Sequence, residues 1–161
     1  MRKYSLLLLL ILISLMTNAQ LKGNQLKNMQ GKTIQSETLF ADSDEPVVLC
    51  FWATWCRPCL QELEAINEAM DDWKDEAKFK LIAISIDNTR SSAKVPALVK
   101  ARDWQFHVYR DENSDLKRAL NVSGVPFSCI IKKGEIVWKH AGYHPGSEEL
   151  IIEKLKELSQ N

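Results

Sequence analysis

The sequence predicts an α/β domain in which helices cover both faces of one central mixed β-sheet. Through the middle of the chain, short apolar runs alternate with segments whose apolar residues recur every three or four positions. The chain then closes with a predicted β-hairpin followed by an amphipathic helix. A further hairpin before the first apolar run is expected to extend the sheet at the N-terminus.

The first predicted elements lead into a buried strand and a long helix. Residues 26–34 are expected to form the N-terminal hairpin, and residues 42–46 a polar turn. Residues 47–52, VVLCFW, lack polar alternation, which is typical of a strand covered on both faces. From Cys59 to about Asp75 a helix is predicted, because four apolar residues recur at helical spacing: Leu63, Ile66, Met70 and Trp73.

The next predicted elements alternate again. Residues 79–86 form an apolar strand, and residues 91–102 form a helix that Pro96 must bend or delay. Residues 104–109 follow as a short strand. A short helix over residues 113–120 comes next, capped by its first or second residue, Asn113 or Ser114.

A hairpin and a helix are predicted to end the domain. Residues 127–131 and 136–140 are the two strands of the hairpin. The last helix begins at Ser147, whose hydroxyl is expected to cap Glu148 and Glu149. Its buried stripe consists of four aliphatic residues: Leu150, Ile151, Leu155 and Leu158. Three tryptophans are assigned to the core: Trp73, Trp104 and Trp138.

Two thiols stand one helical turn apart directly after the central strand, in the sequence Cys56-Arg57-Pro58-Cys59. We expect Cys56 at the exposed tip of the helix and Cys59 on its buried stripe. Unpaired backbone N–H groups at a helix N-terminus favour a thiolate, so Cys56 is the predicted nucleophile. Cys59 is the predicted resolving thiol, which attacks Cys56 once a mixed disulfide has formed.

A CxxC pair can also bind zinc or form a permanent disulfide. Structural zinc needs four ligands, whereas this chain has one such pair and no histidines at ligand spacing. Redox chemistry is therefore preferred, although spacing alone does not exclude a structural disulfide. Cys50 and Cys129 stand alone in apolar strands and are interpreted as buried free thiols, with a second disulfide between them as the alternative.

The N-terminus has the outline of a secretory signal peptide over residues 1–19. Arg2 and Lys3 precede an apolar run that is shorter than the roughly 20 residues of a membrane-spanning helix. Cleavage after Ala19 would leave residues 20–161 as one domain, and an uncleaved run would tether that domain to a membrane. An exported protein with a CxxC pair either forms disulfides or is re-reduced by a partner.

Charge gives no indication of a nucleic-acid ligand. The chain has 21 basic and 21 acidic side chains, and the basic residues form no stripe with interleaved aromatic residues. We therefore expect no nucleic-acid partner, and we expect a monomer.

The segment Phe51-Trp52-Ala53-Thr54-Trp55-Cys56-Arg57-Pro58-Cys59 resembles the thioredoxin superfamily, specifically the exported TlpA/ResA-like thiol-disulfide oxidoreductases. Gly124-Val125-Pro126 before a later strand fits the same resemblance. The resemblance implies a thioredoxin-like fold and a cis peptide bond before Pro126. It also implies that the backbone at Val125 pairs with the substrate strand, and Trp55 is expected to shape the docking surface.

The resemblance further implies a role for Glu62, since the group carries a glutamate three residues after the second cysteine. One helical turn from Cys59, this carboxyl is expected to exchange a proton with it, which requires a raised pKa. Thioredoxins proper carry a buried aspartate where this chain has Cys50, so more weight falls on Glu62. Phe127 replaces a threonine common in the group and is expected to narrow the substrate groove.

The expected function is disulfide exchange with protein thiol and disulfide clients in the periplasm or another extracytoplasmic space. By resemblance, Pro58 is typical of reducing members, cytochrome c maturation is one task of the group, and a membrane-embedded reductase would supply electrons. No organic cofactor or metal is expected, because the Cys56–Cys59 pair is the redox centre. Two alternatives are a thiol peroxidase of the peroxiredoxin type and a copper or zinc metallochaperone that uses the same dithiol.

Overall fold

A seven-stranded mixed sheet organises the described part of the chain, in the strand order β2-β1-β5-β4-β3-β6-β7. The structure, a computed structural model, describes residue 21, residues 23–40 and residues 44–160. The strands are β1 (Gln25–Lys27), β2 (Thr33–Gln35), β3 (Val47–Trp52), β4 (Lys80–Ser85), β5 (His107–Arg110), β6 (Phe127–Lys132) and β7 (Glu135–Ala141). The helices are α1 (Glu37–Phe40), α2 (Arg57–Glu76), α3 (Val95–Arg102), α4 (Asp115–Ala119) and α5 (Glu149–Ser159).

Strand β3 lies at the centre of this sheet, parallel to β4 and antiparallel to β6. All six of its residues are buried, as its apolar sequence predicts. Alternate residues point to opposite faces of the sheet, so β3 contributes to two cores. One core contains residues of α2, α3 and α5, and the other contains residues of α1 and α4. The predicted α/β sandwich with helices on both faces is thereby confirmed.

The predicted N-terminal hairpin is also confirmed, and it is bonded into the sheet. β1 pairs antiparallel with β2 and also with β5, where Lys27 is opposite Arg110. Behind this edge the side chain of Glu112, which is only 8% exposed, forms ion pairs with Lys27 at 2.7 Å and Arg110 at 3.1 Å. Arg110 also donates to the backbone oxygen of Asn28 at 3.2 Å, which ties the hairpin turn to β5.

Two elements in the middle of the chain differ from expectation in their limits. A 3₁₀ turn over Ser92–Lys94 precedes α3, and Pro96 lies in the first turn of α3, where a missing N–H is tolerated. The predicted delay by this proline is thus confirmed. The strand expected over residues 104–109 is instead His107–Arg110. Trp104 lies before it and packs edge-on against Trp52, with ring centroids 5.0 Å apart.

Two predicted helix caps are wrong. Helix α4 is capped by Asp111, whose carboxylate accepts from the backbone N–H groups of Asp115 and Lys117 at 2.8 Å. Ser114 has a left-handed backbone with φ +57° and makes no side-chain cap. Helix α5 begins at Glu149, and the Ser147 hydroxyl instead donates to the backbone oxygen of His144 at 2.7 Å.

The buried stripe of α5 differs from the expected one in one of its four members, while Leu158 is half-buried against the core. Leu150 is 40% exposed, and Ile152 is buried in its place beside Ile151 and Leu155. Of the three tryptophans assigned to the core, Trp73 and Trp104 are buried, whereas Trp138 on the edge strand β7 is only half-buried.

The predicted signal peptide over residues 1–19 lies outside the described residues, as does part of the polar turn over residues 42–46. Within the described part of the chain, no helix combines the length and the apolar character needed to cross a membrane.

Candidate active site

Cys56 and Cys59 are joined by a disulfide at the carboxyl end of β3, with their Cα atoms 5.3 Å apart. Cys56 is the residue immediately before α2, and Cys59 lies in the first turn of that helix. Pro58 between them occupies the first helical turn, where proline costs no hydrogen bond. The pair therefore has the predicted position, directly after the central strand and at a helix start.

The predicted exposure of Cys56 is wrong for this disulfide form. Cys56 is 5% exposed and Cys59 is fully buried, because the bond to Cys59 holds the Cys56 side chain within the core cluster under α2. The residues beside Cys56 are exposed instead. Trp55 in particular is 67% exposed, an unusual position for a large aromatic side chain and one suited to contact with a partner.

A buried aspartate anchors the loop that carries the dithiol. Asp87, which follows β4, is fully buried, and its carboxylate accepts from the Thr54 backbone N–H at 2.8 Å and from the Thr54 hydroxyl at 2.6 Å. The Ser85 hydroxyl donates to the same carboxylate at 2.9 Å. The sequence analysis did not identify Asp87, whose position directly after the apolar strand over residues 79–86 was the available signal.

Glu62 lies on the sheet-facing side of α2, one turn after Cys59, and is only 3% exposed. Burial raises the pKa of its carboxyl from the ordinary 4.5 to about 7, and the nearby Glu148 carboxylate adds to the rise. A hydrogen bond from Ser128 opposes part of this shift. The raised pKa that the proton-exchange hypothesis requires is thus present.

Ser128 and Cys50 lie together beneath Glu62. The Ser128 hydroxyl donates to Glu62 Oε1 at 3.0 Å, and Ser128 is the cross-strand partner of Cys50 in the β3–β6 pairing. The Cys50 thiol is also hydrogen-bonded to Ser128. Sequence reasoning missed Ser128, for which the alternation of side chains along β6 was the only signal.

Cys50 and Cys129 are both fully buried free thiols, as preferred from the sequence. They lie on adjacent strands but on opposite faces of the sheet, since Cys50 belongs to the core under α2 and Cys129 to the core under α4. The alternative of a second disulfide between them is therefore wrong. Burial raises the pKa of Cys129 to about 12 and raises that of Cys50 well above its ordinary value.

A segment before α5 brings two more ionisable groups near Glu62. The Tyr143 hydroxyl is hydrogen-bonded to Glu148, and burial together with the charges of Glu148 and Glu62 raises the pKa of Tyr143. The Glu148 carboxylate also accepts from the backbone N–H of Gly146 at 2.9 Å. The segment before α5 therefore places two acidic groups, Tyr143 and Glu148, near Glu62.

The Val125–Pro126 peptide bond is cis, as the resemblance implies. Pro126 immediately precedes β6 and is buried, and its backbone oxygen accepts from the N–H of Gly142 at 2.9 Å. Because Phe127 pairs with Phe51 near the end of β3, Pro126 lies at the same end of the sheet as the dithiol loop. Val125 beside it is half-buried.

Phe127 differs from expectation. Its ring packs edge-on against Phe51, with centroids 6.2 Å apart, in the core on the sheet face opposite α2. The expectation that Phe127 narrows the groove beside the dithiol is not supported by this placement, because alternation along β6 directs its side chain to the other face.

Metal binding was one alternative for the dithiol. Among the residues that the structure describes, no group of three or more His, Cys, Asp or Glu side chains is arranged to hold a metal ion.

The fold and the dithiol together define a thioredoxin-like protein. The chain belongs to the AhpC/TSA family, whose model matches residues 17–140. A curated relative, the thiol-disulfide oxidoreductase ResA of Bacillus thuringiensis subsp. konkukian, is 31% identical over 114 residues. That match covers 70% of this chain and 63% of the relative, which is less than two thirds of its length.

Other relatives agree with this placement. Sporulation thiol-disulfide oxidoreductase A of Bacillus subtilis is 26% identical over 118 residues, which covers 72% of this chain and 67% of that protein. Among solved structures, an uncharacterized thioredoxin-like protein from Porphyromonas gingivalis is 43% identical with a TM-score of 0.76, over 88% of this chain and 93% of that one. StoA from Bacillus subtilis, at 23% identity, has a TM-score of 0.63 over 84% of this chain and 94% of its own, and supports the fold.

Proposed function

We propose that this protein is a thiol-disulfide oxidoreductase that exchanges disulfides with protein clients through Cys56 and Cys59. The observation that carries the proposal is the Cys56–Cys59 disulfide at the start of α2, backed by a buried Glu62 whose pKa is about 7. Relatives that are named thiol-disulfide oxidoreductases support it.

The first step uses the reduced protein. The Cys56 thiolate attacks one sulfur of a client disulfide, and a Cys56–client bond forms as the client's own S–S bond breaks. The other client sulfur leaves as a thiolate and takes up a proton. Cys56 is assigned this attack because its position before α2 places it beside unpaired backbone N–H groups, which stabilise a thiolate.

The second step releases the client. Cys59 gives its proton to Glu62, and the resulting thiolate attacks the Cys56 sulfur. The Cys56–Cys59 disulfide forms, the second client sulfur leaves, and two electrons have passed from the protein to the client. A carboxyl with a pKa of about 7 is suited to this task, because near neutral pH it can both accept and return a proton.

Trp55, Val125 and Pro126 are assigned to client docking. Trp55 projects from the dithiol loop, and the cis Val125–Pro126 bond lies at the same end of the sheet. An extended client segment beside Val125 would use backbone hydrogen bonds, which bind clients with little regard to their sequence. The exposed indole would supply apolar contact area.

The proposed setting is extracytoplasmic. The charged start and apolar run of residues 1–19 support export, with the domain either released or tethered according to whether cleavage follows Ala19. We assign the net direction as reduction of clients, with electrons from a membrane-embedded reductase and the protein acting as a monomer. Intact-mass measurement on the exported protein tests the cleavage site.

The central experiment is the trapping of clients by a Cys59→Ser variant. Without the resolving thiol, mixed disulfides on Cys56 should accumulate and be released by a reductant. A Cys56→Ser variant is the matched control and should trap nothing. Equal capture by both variants would contradict the assignment of Cys56 as the nucleophile.

Three further measurements separate the alternatives. A thiol peroxidase would consume peroxide in a reaction that needs Cys56, and a metallochaperone would bind copper or zinc when reduced and lose it on oxidation. A dithiol oxidoreductase should instead titrate between dithiol and disulfide with a defined midpoint potential in glutathione or dithiothreitol buffers. Failure to interconvert at any accessible potential would mean a structural disulfide.

A further inference from the structure

We propose that Ser128 is a positioning residue for Glu62: its hydroxyl holds Glu62 Oε1 and so sets the pH range in which the carboxyl can exchange a proton. Nothing in the dithiol motif points to Ser128, which is distant from it in sequence. The kinetic consequence rests on the proposed function, whereas the positioning itself can be measured without any client.

Both partners of the hydrogen bond between Ser128 and Glu62 are buried. Ser128 is 1% exposed, Glu62 is 3% exposed, and the hydroxyl donates to Oε1 at 3.0 Å. Water is excluded from such a contact, so the hydrogen bond is not replaced by solvent when the serine is removed. Because the hydroxyl donates, it stabilises the ionised carboxylate and favours release of the proton.

The pairing between β6 and β3 fixes the position of Ser128 in the sheet. Ser128 pairs with Cys50 across β6 and β3, and the Cys50 thiol is hydrogen-bonded to the Ser128 hydroxyl. Because burial raises the pKa of Cys50 well above its ordinary value, its thiol stays protonated at neutral pH and does not compete with the Glu62 carboxylate for the single proton of the Ser128 hydroxyl. The sheet therefore presents the hydroxyl to Glu62 in a fixed direction.

Three further titratable groups lie near Glu62 or Ser128: Glu148, Tyr143 and His140. His140 is the cross-strand partner of Ser128 on β7, and its ring stacks on Trp138. Glu148 and Tyr143 lie on the side of the segment before α5, where the Glu148 charge disfavours ionisation of Glu62 and the Tyr143 hydroxyl is bonded to Glu148. Cys59 lies one turn away on α2 itself. With Oε1 bound to Ser128, Oε2 is the oxygen available to take the proton of Cys59.

The test follows the titration of Glu62 in the oxidised protein by carbon NMR of labelled glutamate carboxyls. The Ser128→Ala variant should raise the Glu62 midpoint by about one pH unit, since the carboxylate loses a charge-assisted donor in a dry site. The Ser128→Thr variant keeps a hydroxyl and should restore a midpoint close to that of the unchanged protein.

A matched control removes another buried serine hydroxyl that is bonded to a different carboxylate. Ser92 is buried and hydrogen-bonds Glu112 far along the chain from Glu62, so Ser92→Ala should leave the Glu62 midpoint unchanged. Should Ser128→Ala fail to fold, Ser128→Cys, which has nearly the same size and a weaker donor, must still raise the midpoint.

A Glu62 midpoint that is unchanged or lowered in a folded Ser128→Ala or Ser128→Cys variant would overturn the proposal, whatever activity the protein has. The pH dependence of mixed-disulfide resolution, measured on the same variants, should move in parallel with the NMR midpoint. If a Ser128 variant raises the NMR midpoint of Glu62 but leaves the pH dependence of mixed-disulfide resolution unchanged, Ser128 still positions Glu62. In that case the proton-exchange role proposed for Glu62 is wrong.

Discussion

Asp87 holds Thr54 at two points, through the backbone N–H at 2.8 Å and through the hydroxyl at 2.6 Å. The carboxylate is fully buried and comes from the end of β4, while Thr54 comes from the loop after β3. Two parallel strands are therefore joined at their carboxyl ends by a side chain. This joint fixes the path of the loop immediately before Trp55 and Cys56.

Removal of this joint should loosen the dithiol loop and destabilise the fold. In Asp87→Ala, the Thr54 N–H and the Ser85 hydroxyl lose their buried acceptor, and we expect a loss of about 2–4 kcal/mol in the free energy of unfolding. Urea denaturation of the oxidised protein measures it. The exposed Asp72 provides the control, since Asp72→Ala should change stability by less than about 0.5 kcal/mol. Equal effects of the two substitutions would argue against the joint.

The burial of Glu62 predicts a specific dependence of stability on pH. Its folded pKa of about 7 lies above the ordinary 4.5, so the folded state holds an extra proton between these values. Stability from this group is fully present below pH 4.5 and falls as the pH rises to 7, by roughly 3 kcal/mol in all.

Glu62→Gln removes this titration. The unfolding free energy of the variant, measured relative to the unchanged protein, should therefore rise between pH 4.5 and pH 8. Chemical denaturation at a series of pH values tests this, and a difference that stays constant with pH would show that Glu62 is not buried as a high-pKa carboxyl.

The same group should appear in the kinetics of thiol exchange. If Glu62 accepts the Cys59 proton, the rate of mixed-disulfide resolution depends on ionisation with a midpoint near pH 7, and Glu62→Gln should abolish that dependence. Loss of general-base assistance is expected to slow resolution about 10²-fold at neutral pH. Stopped-flow fluorescence with a model disulfide measures it, and the exposed Glu68→Gln is the control.

Trp55 should affect client capture without affecting the fold. Because its side chain is 67% exposed, Trp55→Ala should change the unfolding free energy by no more than about 0.5 kcal/mol. Capture of clients in the Cys59→Ser background should nevertheless fall. Trapping yields that stay unchanged would remove Trp55 from the docking surface.

The two free thiols should be unreactive in the native protein. Cys50 and Cys129 are fully buried, and their raised pKa values leave almost no thiolate at neutral pH. Oxidised native protein should add no maleimide, as measured by intact mass, and should add two after denaturation without reductant. Addition to the native oxidised form would contradict the described burial.

The sequence predicted the parts of the molecule that depend on local pattern. The apolar run predicts strand β3, and the three- to four-residue spacing of apolar side chains predicts helix α2. Because each pattern lies within one continuous element, the position of the dithiol between the two elements is predicted correctly. The position of Glu62 one turn after Cys59 also follows from helical geometry alone.

The rest depended on contacts between elements that are distant in sequence. Asp111 caps α4 in place of Ser114, and Asp87 reaches the dithiol loop only because β3 and β4 are neighbours. Ser128 meets Glu62 across 66 positions of sequence. A single sequence carries no local signal for such pairs. It likewise does not show that Ile152 rather than Leu150 is buried on α5, because the packing of the helix against the sheet determines which face is buried.

The separation of Cys50 from Cys129 by the thickness of the sheet has a consequence for oxidative folding. While a chain with four cysteines is unfolded, any two of its sulfurs can pair in an oxidising solution. Once β3 and β6 have paired, each spare sulfur is sealed in a different core, and neither can reach the other or the solvent. The folded sheet thus leaves Cys56 and Cys59 as the pair that forms a disulfide and keeps Cys50 and Cys129 out of thiol exchange.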